Sequence, residues 1–573
     1  MRTHTCGELR ESHHEQHVTL AGWVHKKRHH GRVLFLDLRD HYGLTQWVIE
    51  DSHALFSQVE SLTLESVVSL SGSVVLRAKE ACNPQLPTGG IEVQIHSVQV
   101  LSVAEASLPM GVSVEQSFPE ETRLHHRYLD LRRKRLHNNI VLRSRVISFL
   151  RQEMEKLGFL DVTTPILSSG SPEGARDFVV PSRKHPGQFY ALPQAPQQFK
   201  QLLMASGFDR YYQIAPCFRD EDLRANRSYE FYQLDFEMAF VTQEDVMNTI
   251  GPVLQRTFQH FAPQSSTIVP DFPCLTYAQA LQRYGSDKPD LRNPLQLTDY
   301  TKDFAQTDFV PFHSPDPDHH VGGVRVMIGE KTRKFFNDLT SAMQAEGAPG
   351  LAYGYRTMEN ELRGPLGKIS FLSSLQPGEA VFCVAGTRSK AYALLSHLRD
   401  LLGQRLELID PQAFAFCWVK DFPMFERDDQ TSGIIFSHNP FSMPQGGFDA
   451  LENADPLTLL AFQYDLVVNG VELCSGAIRN HCPKTLLKAF EIAGYESRDV
   501  EESFSALLRA FRCGVPPHGG AAPGIDRIVM LLAAEPNIRE VMAFPLNQQG
   551  QDLLMGGPKS LDQKHLKELH VSV

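Results

Sequence analysis

The chain runs to 573 residues, of which 42% are hydrophobic, and carries a formal net charge of −11. A single hydrophobic core stops growing at roughly 250 to 300 residues, so several domains are expected. The acidic balance argues against a protein that coats nucleic acid indiscriminately, while it permits local basic patches.

No apolar run approaches the roughly 20 residues of a membrane span, and Met1-Arg2-Thr3-His4-Thr5 lacks an apolar signal region. A cytoplasmic protein without membrane contact is the expectation. The cysteines are scattered without a C-x-x-C pair, so neither a zinc site nor a redox pair is indicated.

Residues 18–101 read as five short strands, at 18–24, 33–39, 44–50, 67–78 and 91–101, with a helical segment near 54–59 before the fourth. That is the plan of an OB-fold barrel. Alternation of period two places Leu34, Leu36 and Leu38 inside and Phe35, Asp37 and Arg39 outside. An outward aromatic on this fold can stack on a nucleotide base. Beside it, Lys26-Lys27-Arg28-His29-His30-Gly31-Arg32 reads as a basic loop able to neutralise phosphates.

A basic connector, 122–133, leads to apolar residues at helical spacing over 141–157, closed by Gly158. Residues 159–167, with Pro165, lead into a strand. Ser169-Gly170-Ser171-Pro172-Glu173-Gly174-Ala175-Arg176-Asp177-Phe178 has the glycines and single acidic tip of a loop that closes over a substrate. A helix start follows at Gln197-Gln198-Phe199-Lys200. Then comes the stretch richest in chemistry: a short apolar run from Tyr211, the charged loop Phe218-Arg219-Asp220-Glu221-Asp222-Leu223-Arg224, and the return Glu230-Phe231-Tyr232-Gln233-Leu234-Asp235-Phe236-Glu237. Period two puts Gln233, Asp235 and Glu237 on one side of a sheet, where carboxylates and Arg219 can converge on a cleft. Arginine suits a phosphate that must be gripped bidentately.

After Tyr284-Gly285-Ser286-Asp287-Lys288-Pro289-Asp290 the pattern changes. Residues 294–412 alternate strands (324–328, 368–371, 380–385) with helices (332–346, 391–402), without legible chemistry. Beyond it stand Ser437-His438-Asn439-Pro440 and the hairpin Tyr464-Asp465-Leu466-Val467-Val468-Asn469-Gly470-Val471-Glu472. Asn469-Gly470 makes a tight turn, so Asp465 and Glu472 can face each other. Facing carboxylates repel unless a cation sits between them. Mg²⁺ held by one or two carboxylates plus substrate phosphates fits, with Ser475 as a further oxygen ligand; two solvated hairpin acids are the alternative. Finally Pro523-Gly524-Ile525-Asp526-Arg527 enters an apolar helix, and Arg527 can lie on a phosphate or an adenine face.

The segment F-R-D-E-D followed by E-F-x-Q-x-D-x-E resembles motif 2 of the class II aminoacyl-tRNA synthetases, in the branch with the aspartate, asparagine and lysine enzymes. The Gly158-Phe159 to Pro165 segment is similar to motif 1, which builds the family's dimer interface, and G-I-D-R at 524–527 to motif 3. S-P-E-G-A-R-D and Y-G-S-D-K-P-D resemble segments of the bacterial-type aspartate enzymes. The resemblance implies an α+β multidomain chain. Its parts are an OB-fold anticodon-binding domain (1–105), a hinge (106–140), an antiparallel-sheet catalytic domain in two parts (141–293 with motifs 1 and 2, 413–573 with motif 3 and a C-terminal extension) and an inserted α+β domain (294–412).

It also implies roles. Arg219 and Arg527 would be catalytic; Glu173, Gln197, Lys200, Arg219, Gln233, Asp235, His438 and Arg479 would bind aspartate, Lys200 and Arg479 by pairing with its β-carboxylate. ATP would meet Arg219, Asp220, Glu221, Ser228, Glu472, Gly524, Ile525, Asp526 and Arg527, and Mg²⁺ would sit on Asp465, Glu472 and Ser475. Arg28, His30, Phe35, Gln46 and Cys82 would lie at the anticodon. The implied reaction is ATP-dependent charging of tRNA-Asp, and of tRNA-Asn as well, by a homodimer. His30 carries that second substrate, since strict enzymes of the family tend to have leucine there; Cys82, where relaxed enzymes often have glycine, does not match. Ser228 stands where relatives usually have glutamine, and Asn439 where they commonly have a second histidine. A strictly tRNA-Asp-specific enzyme, an asparagine- or lysine-charging relative, and a non-catalytic RNA-binding protein built on the OB domain are the alternatives.

Overall fold

The computed structural model describes residues 1–113, 116–170, 174–305, 307, 309–367, 369–428 and 431–572. The chain forms two compact units: Met1–Asn138 with Ala543–Lys559, and Asn139–Met542 with Ser560–Val573.

In the first unit, strands His17–His30, Val33–Arg39, Leu44–Glu50, Ile91–Ser102 and Val67–Leu76 close a barrel in that order. The helix Phe56–Glu60 precedes the fourth strand in sequence, as the OB plan requires. Leu34, Leu36 and Leu38 are fully buried around Trp47 and Val93, because a period-two strand hands every second side chain to the barrel interior. The basic segment is not a loop. Residues 26–30 continue the first strand, pairing Lys26 with Asp37 and Arg28 with Phe35, and the turn comes only at Gly31, at φ +59°. The connector carries a buried carboxylate, Asp130, bonded by Arg123 at 2.9 Å and Arg127 at 3.0 Å. Arg127 Nε also donates to the Ala543 carbonyl at 2.9 Å, which ties the returning segment to this unit.

In the second unit, eight strands among the described residues form one sheet. Their order is Cys274–Thr276, Phe416–Pro423, Leu460–Val468, Val471–Ile478, His518–Ala521, Glu230–Ala239, Arg210–Phe218 and Leu160–Asp161. It is antiparallel in the centre and parallel at both edges. The helix predicted at 141–157 begins earlier, at Lys134. Residues 159–167 do not lead into a longer strand but hold a short one themselves, Leu160–Asp161, parallel to Tyr211–Tyr212 at the sheet edge.

Residues of the inserted stretch build a second sheet, ordered Leu297–Asp299, His319–Met327, Glu379–Thr387, Ala352–Arg356 and Leu362–Arg363, with helices Arg333–Ala345 and Arg388–Arg405. Of the strand predicted at 368–371, Lys368 lies outside the described residues, and Ser370 and Phe371 instead open a 3-10 helix, Ser370–Ser374, within a short apolar run that looks like a strand in sequence.

Small residues let the central strands close on their charges. A methyl group on Gly520 would lie 2.0 Å from the Phe236 carbonyl oxygen and 2.4 Å from Glu237 Oε2. Gly520→Ala is therefore expected to cost roughly 1–3 kcal/mol or more through overpacking, read as a lowered melting temperature. At Gly524 the nearest atom is an Arg527 side-chain carbon at 3.6 Å, so Gly524→Ala serves as the tolerated control.

Candidate active site

One cleft of about 470 Å³ opens over the middle of the large sheet, lined from both halves of the sequence. The strand Glu230–Ala239 supplies its floor. Asp235 and Glu237, both fully buried, point the same way as Gln233, as the alternation requires. Lys200, on the helix Gln197–Ala205, reaches Asp235 Oδ2 with its Nζ at 2.7 Å and Glu237 Oε2 at 3.6 Å. Arg479, at the end of the strand Val471–Ile478, holds Glu237 through Nε at 2.8 Å and Nη2 at 3.2 Å. The two cations predicted from sequence thus meet on one carboxylate.

All four groups are buried, which is tolerable only because they are paired. Burial raises the Asp235 carboxyl despite Lys200. For Glu237 burial pulls the same way, but Arg479 and then Lys200 outweigh it and hold the carboxyl below its usual range. Asp235 Oδ1 has no hydrogen-bond partner among the described residues. Lys200 keeps unused donor protons, and no bond from Arg479 Nη1 is found among the described residues. The cluster can therefore receive a small polar ligand that brings its own carboxylate.

The nucleotide half lies alongside. Arg219 leaves the strand Arg210–Phe218, donates through Nε to the Gln194 carbonyl at 3.4 Å and lies 5.1 Å from the Phe231 ring centroid. Its terminal nitrogens have no described protein partner, which leaves them for an anion. Arg527, on the helix Ile525–Leu532, binds the Glu472 carbonyl at 2.8 Å and Glu472 Oε1 at 3.3 Å. Glu221 pairs with Arg227 at 3.0 Å, and Ser228 lines the cleft. Asp526 is committed elsewhere: one oxygen pairs with Arg143, and the other accepts from the Tyr232 amide at 2.9 Å. The Ile525 side chain is core. Asp526 and Ile525 thus fix the helix that presents Arg527.

The hairpin turn has both residues left-handed, Asn469 at φ +53° and Gly470 at φ +80°, as an Asn-Gly turn should. The carboxylates do not face each other directly, however. A two-residue turn at 469–470 sets Glu472 opposite Val467, and a bulge between Leu466 and Val467 shifts the register by one and sets Asp465 opposite Ser475 instead of Cys474. Asp465 is buried with Oδ1 unpartnered among the described residues. Burial first, then the Glu472 charge, push its carboxyl well above the ordinary range. A buried orphan carboxylate beside a second acid and a hydroxyl is a donor set of the hard-oxygen kind, so Asp465, Glu472 and Ser475 fit a divalent ion.

Of the remaining predicted contacts, Gln197 donates to Gln201 at 3.0 Å and lines the cleft. His438 stands at the rim, its Nδ1 2.8 Å from the Ser437 hydroxyl and its ring 4.9 Å from that of Phe422. Asn439 also lines the cleft and caps Phe441 N at 2.9 Å. Glu173 lies outside the described residues. The loop just after it is pinned: Gln194 exchanges bonds with the Ala175 backbone at 3.2 and 2.8 Å, and Asp220 N donates to the Arg176 carbonyl at 3.1 Å.

On the barrel, Arg28 donates to Asp37 at 2.9 Å and to Gln46 at 3.0 Å, while Gln46 donates to Glu92 at 2.8 Å. Phe35 is half-exposed on the same face; His30 and Cys82 are exposed. The arrangement is a pre-ordered polar surface with an aromatic platform.

Comparison with known families matches residues 119–548 to the model described as tRNA synthetases class II (D, K and N). The chain belongs to the class II aminoacyl-tRNA synthetases. Residues 18–101 of this synthetase match the OB-fold nucleic acid binding domain. It is 53% identical to the aspartate–tRNA(Asp/Asn) ligase of Zymomonas mobilis, over 100% of this chain and 98% of that one. It is 54% identical to the protein of the same name from Erythrobacter litoralis, over 100% and 96%. A Streptomyces avermitilis relative, 53% identical over 100% and 98%, is named aspartate–tRNA ligase. Among solved structures, asparaginyl-tRNA synthetase from Pyrococcus horikoshii with asparaginyl-adenylate matches with a TM-score of 0.59 at 18% identity, covering 95% of this chain and 97% of that one. Aspartyl tRNA synthetase from Entamoeba histolytica matches at 0.58 and 20%, covering 94% and 90%. These last two show the synthetase fold alone.

Enzymes of this family use ATP as a substrate. Two residues in contact with the lining of this synthetase's cleft escaped the roles inferred from sequence. Glu237, read only as a member of the polar face, is the hub of the charge cluster. Lys288 lies 3.5 Å from Glu472 Oε2, and its motif was visible but its target was not. No helix among the described residues is long and apolar enough to cross a membrane.

Proposed function

We propose that this synthetase is an aspartate–tRNA ligase: it activates L-aspartate with ATP to aspartyl-adenylate and transfers aspartate to the 3′-terminal ribose of tRNA-Asp, and of tRNA-Asn as well. The observation that carries the reading is the convergence of buried Lys200 and Arg479 on Glu237, with donors to spare beside the cleft. Two cations favour a carboxylate side chain over a neutral amide, because an amide would leave buried donors facing its own NH₂ group.

In this reading Lys200 and Arg479 orient the β-carboxylate, Gln197, Gln233, Asp235 and His438 hold the rest of the amino acid, and Glu173 meets the ammonium group. The α-carboxylate then attacks the α-phosphorus in line, and pyrophosphate leaves. Arg219 and Arg527 neutralise the charge that develops on the phosphoryl oxygens, a contribution made by positioning and electrostatics with no protein nucleophile. Mg²⁺, held by Asp465, Glu472 and Ser475, would supply further charge neutralisation on the phosphates. Asp220, Glu221, Ser228 and Gly524 complete the nucleotide surroundings, and Ile525 and Asp526 contribute by fixing the helix that presents Arg527.

Pyrophosphate exchange tests the amino acid: exchange should require aspartate, and exchange driven by asparagine or lysine would overturn the assignment. For tRNA choice, the names of the Zymomonas and Erythrobacter relatives and exposed His30 support the relaxed form. The Streptomyces relative, equally similar, is not so named. Charging of a tRNA-Asn transcript with aspartate decides it, and failure there leaves the strict enzyme.

Phe35→Ala should weaken tRNA binding by roughly tenfold to a hundredfold, the worth of one base stack, without altering exchange measured in the absence of tRNA. We also read the enzyme as a homodimer, supported by exposed Ile166, Leu167, Val179 and Phe189. Sedimentation checks this directly. A cytoplasmic location is consistent with that role.

A further inference from the structure

The segment after the helix Tyr277–Tyr284 reaches the metal-type pair through Lys288, whose Nζ lies 3.5 Å from Glu472 Oε2. Gly285 caps that helix at φ +72°, and a methyl group there would lie 2.5 Å from the Tyr392 carbonyl of the inserted module's helix Arg388–Arg405. Close approach at this point is thus possible only for glycine. From the same helix, buried Arg399 donates to the carbonyls of Asp290 at 2.7 Å, Asn293 at 2.6 Å and Leu295 at 2.7 Å. Its guanidinium also lies 5.0 Å from the Tyr284 ring centroid. Lys288 N donates to Ser286 Oγ at 3.0 Å. The backbone of this segment is therefore fixed from the module.

The Lys288 side chain is not so confined. It is about one-third exposed, at 35%, and its Nζ lies 2.6 Å from Asp287 Oδ2 and 3.5 Å from Glu472 Oε2. The second contact is too long for a good hydrogen bond but close enough for strong attraction between charges. Asp287 can keep the ammonium when that second contact is given up.

We propose that Lys288 is the resident counter-cation of the Asp465–Glu472 pair, a positioning residue that keeps free divalent ions off the site and leaves it open to a metal that arrives on a nucleotide. The inference rests on the metal reading above. Without ligand the pair is already partly neutralised by Lys288 and, at Glu472, by Arg527 at 3.3 Å. A free ion gains only what these cations leave. A metal delivered with a triphosphate brings anionic oxygens that compensate Arg527 and Lys288, so the same carboxylates become available to it.

The test is Mn²⁺ binding to the full-length enzyme without nucleotide, followed by electron paramagnetic resonance. The wild-type protein should bind Mn²⁺ weakly; Lys288→Met should bind it about tenfold more tightly, as expected for removing one nearby positive charge at a partly screened site. Lys288→Arg should restore weak binding, and Lys288→Gln repeats the first arm should the methionine variant misfold. Glu472→Gln in the Lys288→Met background should abolish the gain. If Lys288→Met leaves Mn²⁺ affinity unchanged while Glu472→Gln still lowers it, the counter-cation role is wrong and the metal site stands. If Glu472→Gln changes nothing in either background, the metal reading itself fails.

Discussion

Arg219→Ala reduces aspartate-dependent pyrophosphate exchange by about a thousandfold. Removing one pre-placed donor to developing charge typically costs ~10²–10³ in rate, and here the donor is a full cation whose terminal nitrogens have no partner among the described residues. The alternative partners are few: a 3.4 Å bond to the Gln194 carbonyl and the ring of Phe231. Loss of Arg219 should therefore leave the fold intact, and the melting temperature of the variant should match the wild type. Lysine at 219 should recover little, because it offers a point charge where a planar fork is needed. Exchange within tenfold of wild type in the alanine variant would remove Arg219 from the chemistry.

Arg479→Met is the second large effect, and its first readout is stability. Glu237 would remain buried with Lys200 at 3.6 Å as its remaining cationic partner. Breaking a buried pair from one side costs about 3–5 kcal/mol, since the abandoned charge keeps its desolvation penalty. The unit holding the large sheet should melt first and at lower temperature. Glu237→Gln added to Arg479→Met should return part of that loss. The recovered protein should still fail to bind aspartate, which separates the structural part of the residue from its part in recognition. If the double variant melts no higher than Arg479→Met, the charge-cluster account is wrong.

Much of this site could be read before any coordinates. Period two alone put Gln233, Asp235 and Glu237 on one face, and the structure keeps them there. Asn469-Gly470 specified its own turn through the left-handed preference of both residues. What stayed hidden depends on register and on distant partners. A one-residue bulge between Leu466 and Val467 sets Asp465 against Ser475, and nothing local announces it. The segment 26–30 looked like a loop because both of its faces are polar, yet pairing with Val33–Arg39 makes it a strand. The hold of Arg399 on the Lys288 segment spans more than a hundred residues, as Arg399 and Asp290 are separated by 109 positions.

The pairing of Glu237 with Arg479 joins positions 242 apart in sequence, across the whole inserted module. During synthesis at about 5–20 residues per second, a carboxylate destined for the interior waits tens of seconds for its counterion to emerge from the ribosome. Until then the strand Glu230–Ala239 has no central neighbour from His518–Ala521 and exposes an unpaired edge. A truncated product ending before Arg479 is accordingly not a smaller enzyme but an aggregation-prone client for chaperones and proteases.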